Sequence, residues 1–295
     1  MCASGARRKA LATVVTLAAA SLAGTAAWAQ DGSYPTRPVT LVVSAAAGGT
    51  TDLAARMISE PLSRALGQPV VVDNRPGGSG GIAAQTVARA KPDGYTLMVQ
   101  YSGYQVISPL LMKNAWDPVK DFSPVANILS APQVLVVRPS LPVKTLKELV
   151  AYAKANPNKL NYASSGNGSL QHVSTELLNQ MAGIQITHVP YKGTGPAMTD
   201  LLGGSVDLTI TTPPPLMGHI PSWFALYAPA GTPKPIIDKL AGEIDRIMQT
   251  EAFRKKAEEL GAEAKFMGPQ QLAAYQRSEL ARWAKVIKAA DIHAE

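Results

Sequence analysis

The sequence holds one cysteine, Cys2, and four histidines among 295 residues. His172, His188, His219 and His293 show no H-E-x-x-H or comparable spacing, so no metal site is expected. Charged residues make up only 17% of the chain. The densest basic run, Arg254 to Lys256, is followed by Glu258 and Glu259 and reads as a solvated helix face. That distribution gives no support to a nucleic-acid partner. Gly48-Gly49 lacks the third glycine of a dinucleotide fingerprint, and nothing else suggests a cofactor. What the chain does have is 46% hydrophobic residues, enough to bury a real core and to set disorder aside.

The first thirty residues read as a targeting peptide. Arg7, Arg8 and Lys9 form a basic start, Leu11 to Gly24 an uncharged apolar run, and Ala27, Trp28 and Ala29 a small-x-small cleavage pattern. The apolar run is short for a membrane span, and Asp31, Gly32 and Pro35 after it do not make a stop-transfer flank. Cleavage after Ala29 is therefore expected to yield an exported, soluble chain. Its loss takes Cys2 away, leaving no thiol and no disulfide. It also leaves 25 basic residues against 21 acidic, lowering the formal balance from +7 to +4.

Beyond that point short β-branched runs alternate with helical periodicity. Val39 to Val43 is apolar throughout, as a central strand should be. Leu53, Met57, Ile58, Leu62 and Leu66 recur at helical spacing with Gly67 as the stop, and Pro61 is expected to kink or shorten that helix. Val70 to Val72, a helix over Ile82 to Arg89 and a strand over Tyr95 to Tyr101 complete a β-α-β-α-β start, which predicts right-handed crossovers and a parallel sheet. A second such unit begins near Ala131, with strands at Val134 to Val137, Leu160 to Ala163, Ile186 to Val189 and Val206 to Thr211. Helices are predicted over Leu146 to Ala155, Leu170 to Met181 and Ala197 to Leu202 between them. Trp223 to Tyr227 reads as a further strand, followed by helices over Pro233 to Leu260 and Pro269 to Ala290. The fold class is α/β, in two doubly wound units of ordinary domain size.

Two strand-to-helix loops suit a ligand. In open α/β sheets ligands sit at the carboxyl ends of strands, where helix N-termini offer free N–H groups and a positive dipole end. The first loop, Ser44 to Asp52, contains Ala47, Gly48, Gly49, Thr50, Thr51 and Asp52. The alternative is that the glycines only make the turn and a threonine only caps the helix. The second, Ser164 to His172, offers Ser165, Gly166, Asn167, Gly168, Ser169 and His172. His172 is either a ligand contact or a helix residue bonded for structural reasons. Neither loop contains Arg or Lys, so an anion there would be held by amide dipoles, hydroxyls and water. Tyr101 and Ser102, and Tyr191 with Lys192 and Gly193, are candidates to line the same cleft.

One motif points to an enzyme. Gly77-Gly78-Ser79-Gly80-Gly81 matches the G-x-S-x-G pattern of serine hydrolases, but Asp73 to Pro76 separate Ser79 from its strand, where a nucleophile needs a sharp strand-to-helix turn. No catalytic residue is assigned.

Taken together, Tyr-Pro-x-Arg-Pro at Tyr34 to Pro38, Ala-Gly-Gly-Thr-Thr-Asp at Ala47 to Asp52 and Gly-Gln-Pro-Val-Val-Val-Asp-Asn-Arg-Pro-Gly at Gly67 to Gly77 are a specific combination. Pro-Asp-Gly-Tyr-Thr-Leu at Pro92 to Leu97, Gly-Asn-Gly-Ser at Gly166 to Ser169 and Val-Pro-Tyr-Lys-Gly at Val189 to Gly193 extend it over nearly the whole chain. The chain resembles the Bug family, the extracytoplasmic solute-binding receptors of tripartite tricarboxylate transporters. The resemblance implies a type II periplasmic binding fold, with two α/β domains joined by crossing strands and closing on a ligand. The domains would be 30–130 with 223–295, and 131–222. It implies a periplasmic location, a monomer, a small organic carboxylate as ligand and integral-membrane permease subunits as partners. The ligand would be a di- or tricarboxylate, an acidic amino acid or an aromatic acid, pinned by Ala47 to Asp52 and Ser165 to Ser169. The chain departs from the family after Ile220, which runs directly into Pro221, Ser222 and Trp223 where the family has a few dozen more residues, including a strand. Two rivals share the scaffold: a sensor that presents its ligand to a signalling partner, and a truncated remnant that binds nothing.

Overall fold

Val39–Val43 (β1) is buried on both faces, and its apolar run is what a strand between two helical layers requires. The computed structural model describes residues 34–113, 115–211, 222–289 and 292–293. Residues 1–29, read as a targeting peptide, and 212–221, which include His219 and the expected departure after Ile220, lie outside the described residues. Of the first compact unit, Met1–Thr36, only 34–36 are described, and the fold below belongs to the second, Arg37–Glu295.

The first lobe begins as the pattern predicts. Helix α1 (Thr50–Leu66) buries Ile58, Leu62 and Leu66 and ends at Gly67 in the left-handed conformation, with φ of 68°. Pro61 does not shorten it: the helix runs on through Leu66, because Ile58 and Leu62, both fully buried, hold the turns on either side. Strand β2 (Val70–Asn74) and helix α2 (Gly81–Ala88) follow, the latter preceded by a 3₁₀ turn at Gly78–Gly80. Strand β3 (Thr96–Tyr101) leads into a π-helical turn at Gly103–Ile107 and the short helix α3 (Ser108–Leu111), neither of which the periodicity signals. Strand β4 (Phe122–Ala131) is also unforeseen, since Pro124 and two bulges interrupt its alternation.

The second lobe comprises β5 (Val134–Val137), α4 (Leu146–Ala155), β6 (Asn161–Ser164), α5 (Leu170–Ala182), β7 (Thr187–Pro190), α6 (Thr194–Gly203) and β8 (Leu208–Thr211). The chain returns to the first lobe in β9 (Ser222–Pro229) and closes with α7 (Lys234–Gln249), α8 (Glu251–Glu259) and α9 (Pro269–Ala289). The single helix predicted over Pro233 to Leu260 is two. Thr250 breaks it by taking an extended conformation, and its hydroxyl caps α8 by accepting from the Phe253 N–H.

The first sheet has the order β2-β1-β3-β9-β4. Its first three strands are parallel, as predicted, but β9 enters antiparallel to both β3 and β4, so the sheet is mixed. The outer edge of β4 is covered in turn, because Asn127 and Ser130 bridge to Met267 and Glu263. The second sheet has the order β5-β8-β6-β7, with β5 antiparallel to β8. Tyr162, Leu208, Leu160 and Leu149 form its core on one face, and Ala163, Ala197, Leu201 and Val206 on the other. The chain passes between the sheets twice, from β4 into β5 and back into β9, and Ala131 pairs with Ser222 where the two crossings meet.

Candidate functional site

Between β1 and α1 the backbone turns on Gly48, whose φ of 82° favours glycine. Behind the turn lies Asp52, only 2% exposed. One carboxylate oxygen accepts from the Gly48 N–H (3.0 Å) and from Arg56 Nε (2.9 Å), and the other from Asn74 Nδ2 (2.9 Å). Asn74, at the end of β2, also donates to the Ala45 carbonyl. Burial pushes the Asp52 pKa upward, but the bonds from Arg56, Gly48 and Asn74 outweigh it and hold the group below the usual carboxylate range. The buried charge thus shapes the loop from behind. The N-cap of α1 is Gly49, which has no side chain to cap the first turn.

The loop after β6 is stiffened differently. Ser164 Oγ accepts from the Gly166 N–H (3.0 Å) and lies 2.6 Å from His188 Nε2. Ser169 caps α5 by accepting from the His172 N–H, and His172 Nδ1 in turn accepts from the Gly168 N–H at 3.1 Å. That role requires a neutral ring at His172. Its ring stacks on His188 at 4.3 Å between centroids, and Tyr162 stacks on the far side of His188 at 4.8 Å. Burial, with the His172 ring beside it, lowers the His188 pKa to about 4.

Four hydroxyls of the first lobe reach into this loop. Ser79 Oγ donates to the Asn167 carbonyl, Tyr104 Oη to the Ser165 carbonyl and Ser108 Oγ to the Gly168 carbonyl. Tyr101 Oη accepts from the Leu170 N–H at 2.6 Å and donates to Gln171 Oε1 at 2.8 Å. Burial pushes the Tyr104 phenol up to about 12 and the Tyr101 phenol well above its ordinary value, so both keep their protons as donors. On the other side, the Ala46 N–H donates to the Lys192 carbonyl (3.2 Å), and the N-termini of α1 and α6 come together. A Cβ on Gly49 would stand only 3.6 Å from the Gly195 nitrogen. The N-cap of α6, Gly193, likewise supplies no side-chain cap bond.

These elements line a narrow, partly open cavity of about 10 Å³, room for about one water. Thr50, Thr51, Gly193 and Thr194 from the two helix N-termini form one wall. Tyr101, Tyr104, Ser165 and Gln171 form the second, and Gln133, Ser222 and Phe224 line the floor where the chain crosses. No charged side chain is among the lining residues. The dipoles of α1 and α6 both present their positive ends here, which favours an anion without a cation.

Of the residues singled out from the sequence, the structure brings Thr50, Thr51, Tyr101, Ser165 and Gly193 to the cavity wall. Ala47, Gly48, Gly49 and Asp52 build the turn beside it, and Gly166, Asn167, Gly168, Ser169 and His172 build the opposing loop. Ser102 is buried and accepts from the Trp223 N–H, away from the wall, and the Tyr191 hydroxyl donates to Asp200 at 2.6 Å instead of facing the cavity. Tyr104, Gln133, Gln171, Thr194, Ser222 and Phe224 went unrecognised. Only Gln171 carried a signal, as a first-turn residue of the helix that follows the second loop. Ser79 follows neither β2 nor a sharp elbow; it sits in the left-handed region at φ 48°, with its hydroxyl committed to Asn167. Among the described residues no group of three potential metal ligands occurs.

The family profile described as Tripartite tricarboxylate transporter family receptor matches residues 54–220 and 216–292. The two stretches overlap at 216–220. A protein of Agrobacterium vitis is 35% identical, covering 94% of this chain and 91% of its own. That alignment spans 315 positions against a chain of 295 residues, so the relative carries residues this chain lacks. BugT of Bordetella pertussis is 33% identical over 90% of this chain and 93% of its own. Among solved structures, an R. palustris protein with adipate is 37% identical with a TM-score of 0.84, covering 88% of this chain and all but 1% of that one (99%). MatC from Rhodopseudomonas palustris with bound malate is 33% identical with a TM-score of 0.82, covering 86% and 100%. The periplasmic binding protein BugD is 32% identical with a TM-score of 0.83, covering 89% and 100%. These are substrate-binding proteins and not enzymes, and by profile, sequence and fold alike the chain belongs with them, in the tripartite tricarboxylate transporter receptor family of Bug proteins.

Proposed function

We propose that the chain is exported to the periplasm, captures a small organic carboxylate between its lobes and hands it to the membrane permease of a tripartite transporter. The observation that carries this reading is the meeting of two helix N-termini, at Thr50 and Thr194, in a cavity without a charged side chain. Such a site draws in an anion by amide dipoles and hydroxyls. Adipate and malate, bound by two of the similar structures, indicate dicarboxylates as the first class to try. The narrow cavity is too small for either, so uptake requires the lobes to separate about the crossings at Ala131 and Ser222 and to close again on the ligand. One chain carries the whole cleft, and the reading needs no second copy.

Thermal unfolding of residues 30–295 with a panel of mono-, di- and tricarboxylates tests it. A ligand at a hundredfold its dissociation constant adds about 2.7 kcal/mol, which raises the midpoint by about 2–4 °C per kcal/mol in a chain of this size. A cooperative transition raised by one carboxylate class supports the receptor. A cooperative transition that no carboxylate moves rules out a carboxylate receptor.

A further inference from the structure

Gln171 is the second residue of α5 and is 5% exposed. Its side-chain oxygen accepts from two hydroxyls, Tyr101 Oη at 2.8 Å and Ser165 Oγ at 3.0 Å. The Tyr101 oxygen already accepts from the Leu170 N–H and lies beside the Gln171 N–H and the Ser165 hydroxyl as well, and its own hydrogen is directed at the Gln171 side-chain oxygen. Burial holds the phenol protonated, which leaves this direction of donation unchanged across the pH range of a folded protein. Two donors on one end of an amide define that end as the oxygen. The nitrogen is therefore the other end, and among the described residues it donates to no protein acceptor, although Gln171 lines the cavity.

We propose that Gln171 is a specificity-determining residue of the cleft, its NH₂ group held toward the cavity by Tyr101 and Ser165 so as to take an oxygen of the ligand's carboxylate. The inference rests on the receptor reading above. An amide whose orientation is pinned presents donors only, accepting the oxygen-only edge of a carboxylate and refusing the donor edge of a carboxamide. Ser165 holds the amide from within its own lobe and Tyr101 from the opposite one, so the orientation is fully fixed once Tyr101 has met α5, and the choice between acid and amide sharpens on closure. Tyr101 is itself seated by Gly103, where an added Cβ would lie 2.2 Å from the phenol oxygen.

The test is calorimetric titration of residues 30–295 with adipate, malate and the monoamide of each, in three proteins. The wild-type chain is expected to bind one of the diacids and to bind its monoamide more weakly. Gln171→Glu keeps an oxygen for Tyr101 and Ser165 but turns the facing donor into an acceptor. It is expected to lose at least about tenfold in affinity for that diacid, and to lose much less for the monoamide. Tyr101→Phe keeps the ring, which packs on Phe224, and releases the amide to turn over; the ratio between diacid and monoamide is expected to fall. Gln171→Glu binding the diacid within about threefold of wild type would overturn the assignment and leave the receptor standing. An unchanged ratio in Tyr101→Phe would overturn the role of the pin. If the wild-type chain binds neither diacid, the inference falls together with the reading beneath it.

Discussion

The hydroxyl of Ser79 donates to the carbonyl of Asn167, tying the glycine-rich turn before α2 to the loop before α5. A serine that the motif would make a nucleophile is here one of several clasps between the lobes. Ser79→Ala should leave the fold intact, since the position is at the surface of its own lobe, and remove about 1 kcal/mol from the closed form alone. Ligand affinity is then expected to drop about fivefold with little change in the unfolding midpoint of the free chain. Titration beside thermal unfolding checks it, and unchanged affinity would show that the bond contributes nothing to closure.

Both tyrosines that cross the cleft rest on glycines. A Cβ on Gly103 would stand 2.3 Å from the Tyr101 Cζ, and one on Gly80 would stand 2.6 Å from the Tyr104 Cδ2. Gly103→Ala should therefore evict the Tyr101 ring, at about 1–3 kcal/mol of overpacking, even though alanine favours a helical turn. Shortening Tyr101 to alanine in the same background should recover part of that loss, and denaturant titration of the single and double variants measures the coupling.

Two loop glycines separate conformational strain from steric conflict. Gly48 and Gly168 both have positive φ, 82° and 70°, but an added Cβ meets nothing within 4 Å at Gly48 and meets Ser108 Cα at 3.1 Å at Gly168. Gly48→Ala is expected to cost about 1–2 kcal/mol from the left-handed backbone alone. Gly168→Ala should cost more and should also hold the lobes apart, so its ligand affinity falls further than its stability. Equal losses of affinity in the two variants would contradict this division.

His188 gives the chain an acid-side weakness. The unfolded chain takes up the imidazole proton near pH 6.5, while in the folded chain burial and the stacked His172 delay it to about 4. Between those values the unfolded state binds more protons, so this contribution to stability is complete above about pH 6.5 and is lost as the pH falls toward 4. The groups around the ring are His172, Tyr162, Ser164 and, through the Tyr162 hydroxyl, Glu176. His188→Gln should flatten the unfolding midpoint across that window, and a midpoint that still falls as steeply would place the titration elsewhere.

Much of the framework was legible because strand and helix periods are local. Val39–Val43 and Leu146–Ala155 begin and end where the pattern places them. The loops at Gly48 and Gly168 were legible for a similar reason, since glycines between a strand and a helix imply close approach. What escaped depends on residues distant in sequence. β4 carries Pro124 and two bulges, and only its pairing with β9, about a hundred residues on, makes it a strand. Gln171 acquires its meaning from Tyr101, a neighbour 70 positions away. Tyr104 and Gln133 come from stretches with no regular period, and no local signal marks them.

The two strands that follow the crossings are not equally secured. β9 has a hydrogen-bonded neighbour on each side, whereas among the described residues β5 has only β8, and its four residues are half-buried. An edge of Val134, Leu135, Val136 and Val137 with one ladder is quick to fray. Amide hydrogens of β5 should exchange with solvent well before those of β9, and a protease should find the second lobe first. The loop that holds Gly168 belongs to that lobe. The clasps of the first lobe add to the loop's own bonds from Ser164, Ser169 and His172, so the chain should be at its most perishable when those clasps are released.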